Sequence, residues 1–250
     1  MPRLLTEQGG PRVRMQLLPD PPPRGLSREL RGACTTLRRQ LQNDRLSYFR
    51  LELLLYANFS PADLVVELTY DAEHAPPGWR QAKPNVPRFL RRVREARRAQ
   101  GQEARYVYVH EALHGDKRPH HHLVINRGRD GPGPREPSRE DVAALAALWG
   151  MGYVHVDTIA GFGGYQKLAK YITKEPRDKG RPRPGERTWT PSMGLVQPLR
   201  RVEDVPAGFV LEPPPGAQPV ADGLDIIQKV AVWYGGGLPR VDAILGKIMT

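Results

Sequence analysis

The chain has 250 residues, with 38 Lys and Arg against 27 Asp and Glu, a formal net charge of +11 and a pI near 10. That length can bury a hydrophobic core without covalent staples, and an apolar share of 39% can supply one. The single cysteine, Cys34, excludes an internal disulfide and a cysteine-based zinc ribbon, and no apolar stretch approaches the roughly 20 residues of a membrane span.

Residues 1–26 contain Gly9, Gly10, Pro11, Pro19 and Pro21–Pro23, the composition of a loose tail, and Arg12, Arg14 and Asp20 interrupt them before a signal-peptide core forms. Ser27 is a candidate N-cap, with Glu29 in the first turn of a helix running to about Asn43. Arg45–Tyr56 is apolar-rich, its periodicity does not choose between helix and strand, and Asn58-Phe59-Ser60-Pro61 ends it. Residues 27–60 are therefore expected to form a helical front section.

Leu64–Tyr70 is a β-branched run of strand length, closed by Asp71 and the turn Pro76-Pro77-Gly78. Pro87 fits a helix first turn, and Phe89, Leu90, Val93 and Ala96 recur at helical spacing, which leaves Arg91, Arg94, Arg97 and Arg98 outside. Arg105–Glu111 alternates as a strand, and a turn at Gly115-Asp116 leads to another strand, His120–Asn126. Beyond the turn Gly128–Pro134, Ser138 with Asp141 resembles a capping box opening a helix through Trp149. Tyr153–Ile159 reads as a fourth strand, and a helix follows Gly161-Phe162-Gly163-Gly164 from Tyr165 to about Glu175. Past Pro176 the chain is proline-rich, and residues 196–250 read as an irregular extension with a short helix near Val241–Met249.

The order strand, helix, strand, strand, helix, strand, helix predicts an α+β fold. Two interleaved β-α-β units make a four- to five-stranded antiparallel sheet of ferredoxin-like (RRM-like) type, with helices on one face and chemistry on the other.

The positive charge is concentrated. Nine basic residues face two acidic ones over Trp79–Arg105, and ten face three over Phe162–Arg201, so the rest of the chain is close to neutral. Phosphate backbones suit such patches, and binding of that kind weakens steeply with salt.

Strand alternation puts His120 and His122 on one face and His121 on the other. Two imidazoles on one face are a ready metal-binding pair, although three histidines alone can also be a polar surface tract. Glu111 ends the preceding strand nine residues earlier, and a hairpin brings its carboxylate beside them. Two histidines and one carboxylate leave coordination positions open, and their mixed N/O set suits Mn²⁺ or Mg²⁺ as well as Zn²⁺. His110, facing away from Glu111, and His114, in the turn, are lesser candidates. Tyr171 and Lys174, three residues apart, share a helix face. A tyrosine hydroxyl with an ordinary pKa of about 10 attacks more easily beside a cation and a metal-polarised phosphate.

Val66-Glu67-Leu68-Thr69-Tyr70, Arg118-Pro119-His120-His121-His122, Trp149-Gly150 with Gly152-Tyr153, and Tyr171-Ile172-Thr173-Lys174, in this order, resemble the HUH endonucleases. The resemblance is to the rolling-circle replication initiators (Rep) of small phages, prophages and plasmids, and it covers roughly residues 60–195. It implies a nuclease domain over 61–195 that nicks single-stranded DNA at an origin through a 5′-phosphotyrosine link. It also implies His120, His122 and Glu111 as metal ligands, Tyr171 as nucleophile and Lys174 as a helper at the phosphate. Thr69 and Tyr70 become DNA contacts by the same likeness, beside Arg91, Arg94, Arg98, Lys167 and Lys170 of the basic runs. The family has a hydrophobic residue where His121 stands. Some initiators carry two tyrosines four apart on this helix, whereas Tyr165 lies six residues before Tyr171, so the resemblance implies a one-tyrosine enzyme. No G-x-x-x-x-G-K-[ST] motif occurs in the chain, so a host helicase and polymerase are the expected partners, in the cytoplasm of a bacterial host and away from any membrane. A transposase or relaxase using the same chemistry, and a non-catalytic DNA-binding regulator, are the alternatives.

Overall fold

The computed structural model describes residues 1–18, 37–112, 117–128, 136–175, 187–212, 218–219 and 230–234. Their described parts divide into two compact units, one built from the chain's beginning, Leu53–Ala57 and the chain beyond Val196, the other from Leu37–Glu52 and Asn58–Leu195.

In the first unit, β1 (Arg3–Gly9) and β2 (Arg12–Leu18) form an antiparallel hairpin. The expected loose tail is thus ordered over residues 3–18. The two-residue loop Gly10-Pro11 explains why: a II′ hairpin turn needs positive φ at its first central position, and Gly10 has φ +54°. Leu4, Val13 and Met15 alternate into a small core, and the Arg14 guanidinium donates to buried Glu7 at 2.8 Å. The proline-rich C-terminal part, expected to be irregular, adds β8 (Leu199–Asp204) to β1 and β10 (Val230–Tyr234) to β2, with β9 (Gln218–Pro219) outside β10. The expected helices at Ser27 and Val241–Met249 lie partly or wholly outside the described residues, as does Cys34.

The second unit holds the predicted fold. A single helix, α1 (Leu37–Asn58), whose residues Leu53–Ala57 belong to the first unit, spans the segment whose periodicity is ambiguous. Tyr48, Phe49, Leu51, Leu53, Leu54 and Leu55 are all buried, so no polar face marks the helical period. The strands β3 (Leu64–Leu68), β4 (Tyr106–Glu111), β5 (His120–Ile125), β6 (Val154–Thr158) and β7 (Thr190–Pro191) form one antiparallel sheet in the order β6-β3-β5-β4-β7. Its four main strands have the ferredoxin-like arrangement, each crossover strand separated from its partner by the strand between them.

On one face of this sheet lie Leu64, Val66, Leu68, Tyr106, Leu123, Ile125 and Val156. The short α2 (Trp79–Ala82), α3 (Asn85–Arg98) and α4 (Arg139–Trp149) cover it through Ala82, Val86, Phe89, Leu90, Val93, Leu145 and Trp149. The expected capping box forms at α4, Ser138 Oγ accepting from Asp141 N while Asp141 Oδ2 accepts from Ser138 N. Trp149 is fully buried, meets Phe89 edge to face, and donates its indole N–H to Thr69 O at 2.8 Å. The other sheet face carries the opposite parity, and α5 (Tyr165–Ile172) lies against it. Among the described residues, no helix is long and apolar enough to cross a membrane.

The turn between α4 and β6 is as tight as its glycines suggest. Gly150 is the left-handed C-cap, and Gly152 has φ +142° against the end of β3, where a Cβ would meet Asp71 N at 2.4 Å and Thr69 O at 2.7 Å. Gly152→Ala is therefore expected to cost about 1–3 kcal/mol, read as a lower urea midpoint with an unchanged m-value.

Candidate active site

β5 lies between β3 and β4, so its side chains are set by two ladders at once. Glu111 is directly across from His120, and Val109 and Glu67 flank His122 on the same face. His120 Nε2 lies 3.0 Å from Glu111 Oε2, and His122 Nε2 lies 3.2 Å from Glu111 Oε1. The two imidazole rings stand edge to face, 5.2 Å apart.

The donors fit a divalent cation. His120 Nδ1 lies 3.1 Å from Arg118 O, and a proton on Nδ1 turns the lone pair of Nε2 toward the carboxylate. His122 Nε2 and Glu111 Oε1 are buried, and neither has a hydrogen-bond partner of good geometry among the described residues. Lone pairs facing lone pairs are what a cation resolves. Burial would raise the Glu111 pKa, but the close contacts with His120, His122 and Lys174 outweigh it and hold the carboxyl far below its ordinary value. Burial likewise opposes the charge on His120, and Glu111, Arg118 O and Glu67 reverse that and raise its pKa.

α5 brings the nucleophile candidate to the same place. It opens at Gly163-Gly164, both at positive φ, and buries Leu168, Ala169 and Ile172. Tyr171 is left half-buried, its ring edge-on to His122 at 5.2 Å and to Phe162 at 5.1 Å. Lys174 Nζ sits 3.7 Å from the centre of the Tyr171 ring and 3.2 Å from Glu111 Oε2. Burial disfavours its charge, and Glu111 and Tyr171 more than compensate, so its pKa is raised. One residue further on, Glu175 Oε2 accepts the backbone N–H of Ala112 at 2.8 Å, and Ala112 is the one non-glycine residue at positive φ, +64°, among those described. Tyr165 is turned elsewhere, donating to Phe59 O at 2.7 Å.

His121 is on the opposite face and nearly inaccessible. Its Nε2 lies 2.8 Å from the Tyr70 hydroxyl and its Nδ1 3.0 Å from His110 Nδ1, and Asn85 Nδ2 donates to the same hydroxyl at 3.0 Å. Burial lowers both histidine pKa values, that of His110 to about 4. Burial thus favours the neutral form of both, and both lie on the sheet face opposite His120 and His122. Tyr70 belongs to this buried network and is turned away from the ligands, while Thr69 donates to Tyr153 O at 3.2 Å. His114 lies outside the described residues.

Among the described residues of the second unit, the basic side chains of α5 and of α3 lie on opposite faces of the sheet. Lys167 and Lys170 are on α5, with Nζ atoms over the Phe162 and Tyr48 rings. Arg91, Arg94 and Arg98 are exposed on α3, which packs on the sheet face opposite the ligands. Arg97, expected outside with them, turns inward to donate to Asn126 Oδ1, and burial lowers its pKa to about 10 against the pull of Asp63 and Asp141. Sequence reading missed Glu67, whose carboxylate forms a group of potential metal-binding atoms with His120 and His122, all within 4.8 Å of one another. Only the pairing of β3 with β5 reveals that position.

His121→Leu is expected to leave cation binding unchanged and to cost about 1–3 kcal/mol of stability by stranding His110 and Tyr70. Paired calorimetric titration and urea unfolding check both halves.

No curated protein and no solved structure matches the chain. Residues 63–176 match the family model Replication-associated protein ORF2/G2P, a segment that runs from just before β3 to just past α5 and includes Glu67, Glu111, His120, His122, Tyr171 and Lys174. Over that segment, the chain is similar to the Replication-associated protein ORF2/G2P family.

Proposed function

We propose that this protein nicks and rejoins single-stranded DNA at a replication origin through Tyr171, starting rolling-circle replication. The observation that carries the reading is the convergence of Tyr171, Lys174 and Glu111 beside the His120/His122 pair.

The Tyr171 oxygen forms a bond to the scissile phosphorus as the bond from phosphorus to the 3′-oxygen breaks. The phenolic proton is released, and the departing oxygen takes up a proton to become a 3′-hydroxyl that a host polymerase can extend. The 5′-phosphate remains on the tyrosine, and attack by a 3′-hydroxyl reverses the step and rejoins the strand. His120, His122 and Glu111 would hold Mn²⁺, Mg²⁺ or Zn²⁺, and such an ion supplies Lewis-acid polarisation of the phosphate. Lys174 contributes a fixed positive charge against the tyrosine ring, where negative charge develops on the phenolic oxygen and the phosphate. Glu111 and Tyr171 keep that lysine charged, and Glu175 holds the strand end that carries Glu111. Unwinding falls to a host helicase.

A labelled single strand containing the origin, incubated with Mn²⁺ and run on a denaturing gel, is expected to give a shortened strand and a protein–DNA adduct. Tyr171→Phe abolishes both, and His122→Ala abolishes cleavage while retaining most salt-sensitive binding. Wild-type behaviour of Tyr171→Phe would rule the mechanism out.

The α3 arginines act as a separate electrostatic surface for DNA. Replacing Arg91, Arg94 and Arg98 with Gln is expected to flatten the dependence of log K on log[salt] by about one unit for each phosphate left without its arginine, while the adduct still forms at saturating DNA.

A further inference from the structure

Glu67 enters the site from the strand opposite Glu111. Register places it directly across from His122 on β5 and His155 on β6, and its carboxylate lies within 4.8 Å of the ligand atoms of His120 and His122. It is half-buried, on the same sheet face as both histidines. Among the described residues it makes no hydrogen bond and no ion pair to a lysine or arginine, whereas the charge of Glu111 is already met in part by Lys174 at 3.2 Å. A carboxylate within 4.8 Å of two imidazole nitrogens, with no lysine or arginine paired to it, is complemented by a cation shared with them.

We propose that Glu67 is a fourth protein ligand of the divalent cation, so that the ion is held by two imidazoles and two carboxylates from three adjacent strands. This rests on the metal reading above and extends it. With Lys174 offsetting one negative charge, Glu111 alone would leave a divalent ion short of neutralisation, and Glu67 supplies the second charge. Two hard oxygen donors also shift the preference toward Mn²⁺ and Mg²⁺.

The test is calorimetric titration of Mn²⁺ into the EDTA-stripped, dialysed full chain, with melting of each protein in EDTA alongside. Glu67→Gln is expected to weaken Mn²⁺ binding about tenfold or more, with Glu67→Ala at least as weak. The metal-free melting temperature of Glu67→Gln is expected to stay level or rise, because the change removes a negative charge near Glu111. Wild-type affinity in Glu67→Gln, beside lost affinity in Glu111→Gln, overturns the proposal and leaves the metal site standing. A lower metal-free melting temperature with unchanged affinity assigns Glu67 a structural role and also overturns it. If the wild-type chain takes up no Mn²⁺, Mg²⁺ or Zn²⁺, the metal reading itself fails.

Discussion

Everything in the site depends on the register of one strand. β5 is paired on both sides, and its three consecutive histidines have opposite tasks: His120 and His122 face Glu111 and Glu67, while His121 closes a buried network with Tyr70 and His110. A slip of one residue would exchange the two sets, placing one imidazole where two are needed and two in a core that accommodates one. Such a slip is opposed by more than the histidines. Leu123 and Ile125 belong to the same core as Trp149 and Phe89, so the hydrophobic face of the sheet enforces the position of the polar one.

The electrostatics build on that register. Glu111 is nearly inaccessible, yet it stays ionised because His120, His122 and Lys174 surround it. An isolated buried carboxylate would take up a proton instead. The same contacts raise the pKa of Lys174 and hold its charge over Tyr171. One acidic residue therefore contacts both histidines and holds the charge of the lysine beside Tyr171.

Much of this is readable from the chain. Period-two alternation is strict enough that the faces of His120, His121 and His122 follow from numbering alone, and the spacing of Tyr171 and Lys174 likewise brings them together, although Lys174 lies just past the end of α5. Glu67 is not readable, because a glutamate in Leu64-Val65-Val66-Glu67-Leu68 gains meaning only from its neighbour across the ladder. The α3 arginines read as flanking the ligands since they are close in sequence, but a helix that packs on the far face carries its charge away from them. Leu199–Asp204 and Val230–Tyr234 escape notice for a related reason: their partners lie in residues 3–18, and strand pairing over such a separation leaves no local pattern.

The joint between β4 and the end of α5 has a mechanical meaning. Glu111 and Ala112 are gripped by Lys174 and Glu175, one through an ion pair and the other through a backbone hydrogen bond, so the last residue of the strand and the one after it are fastened to two consecutive residues beyond α5. A single fastening would act as a pivot about which Tyr171 could swing. Two in tandem act as a clasp that removes the rotation, and the left-handed backbone of Ala112 is the bend that lets the strand present a carboxylate and an N–H to the same helix. The distance from the Tyr171 ring to Glu111 and the two histidines is then a property of the clasp, and any motion that carries Tyr171 away from them has to open both fastenings together.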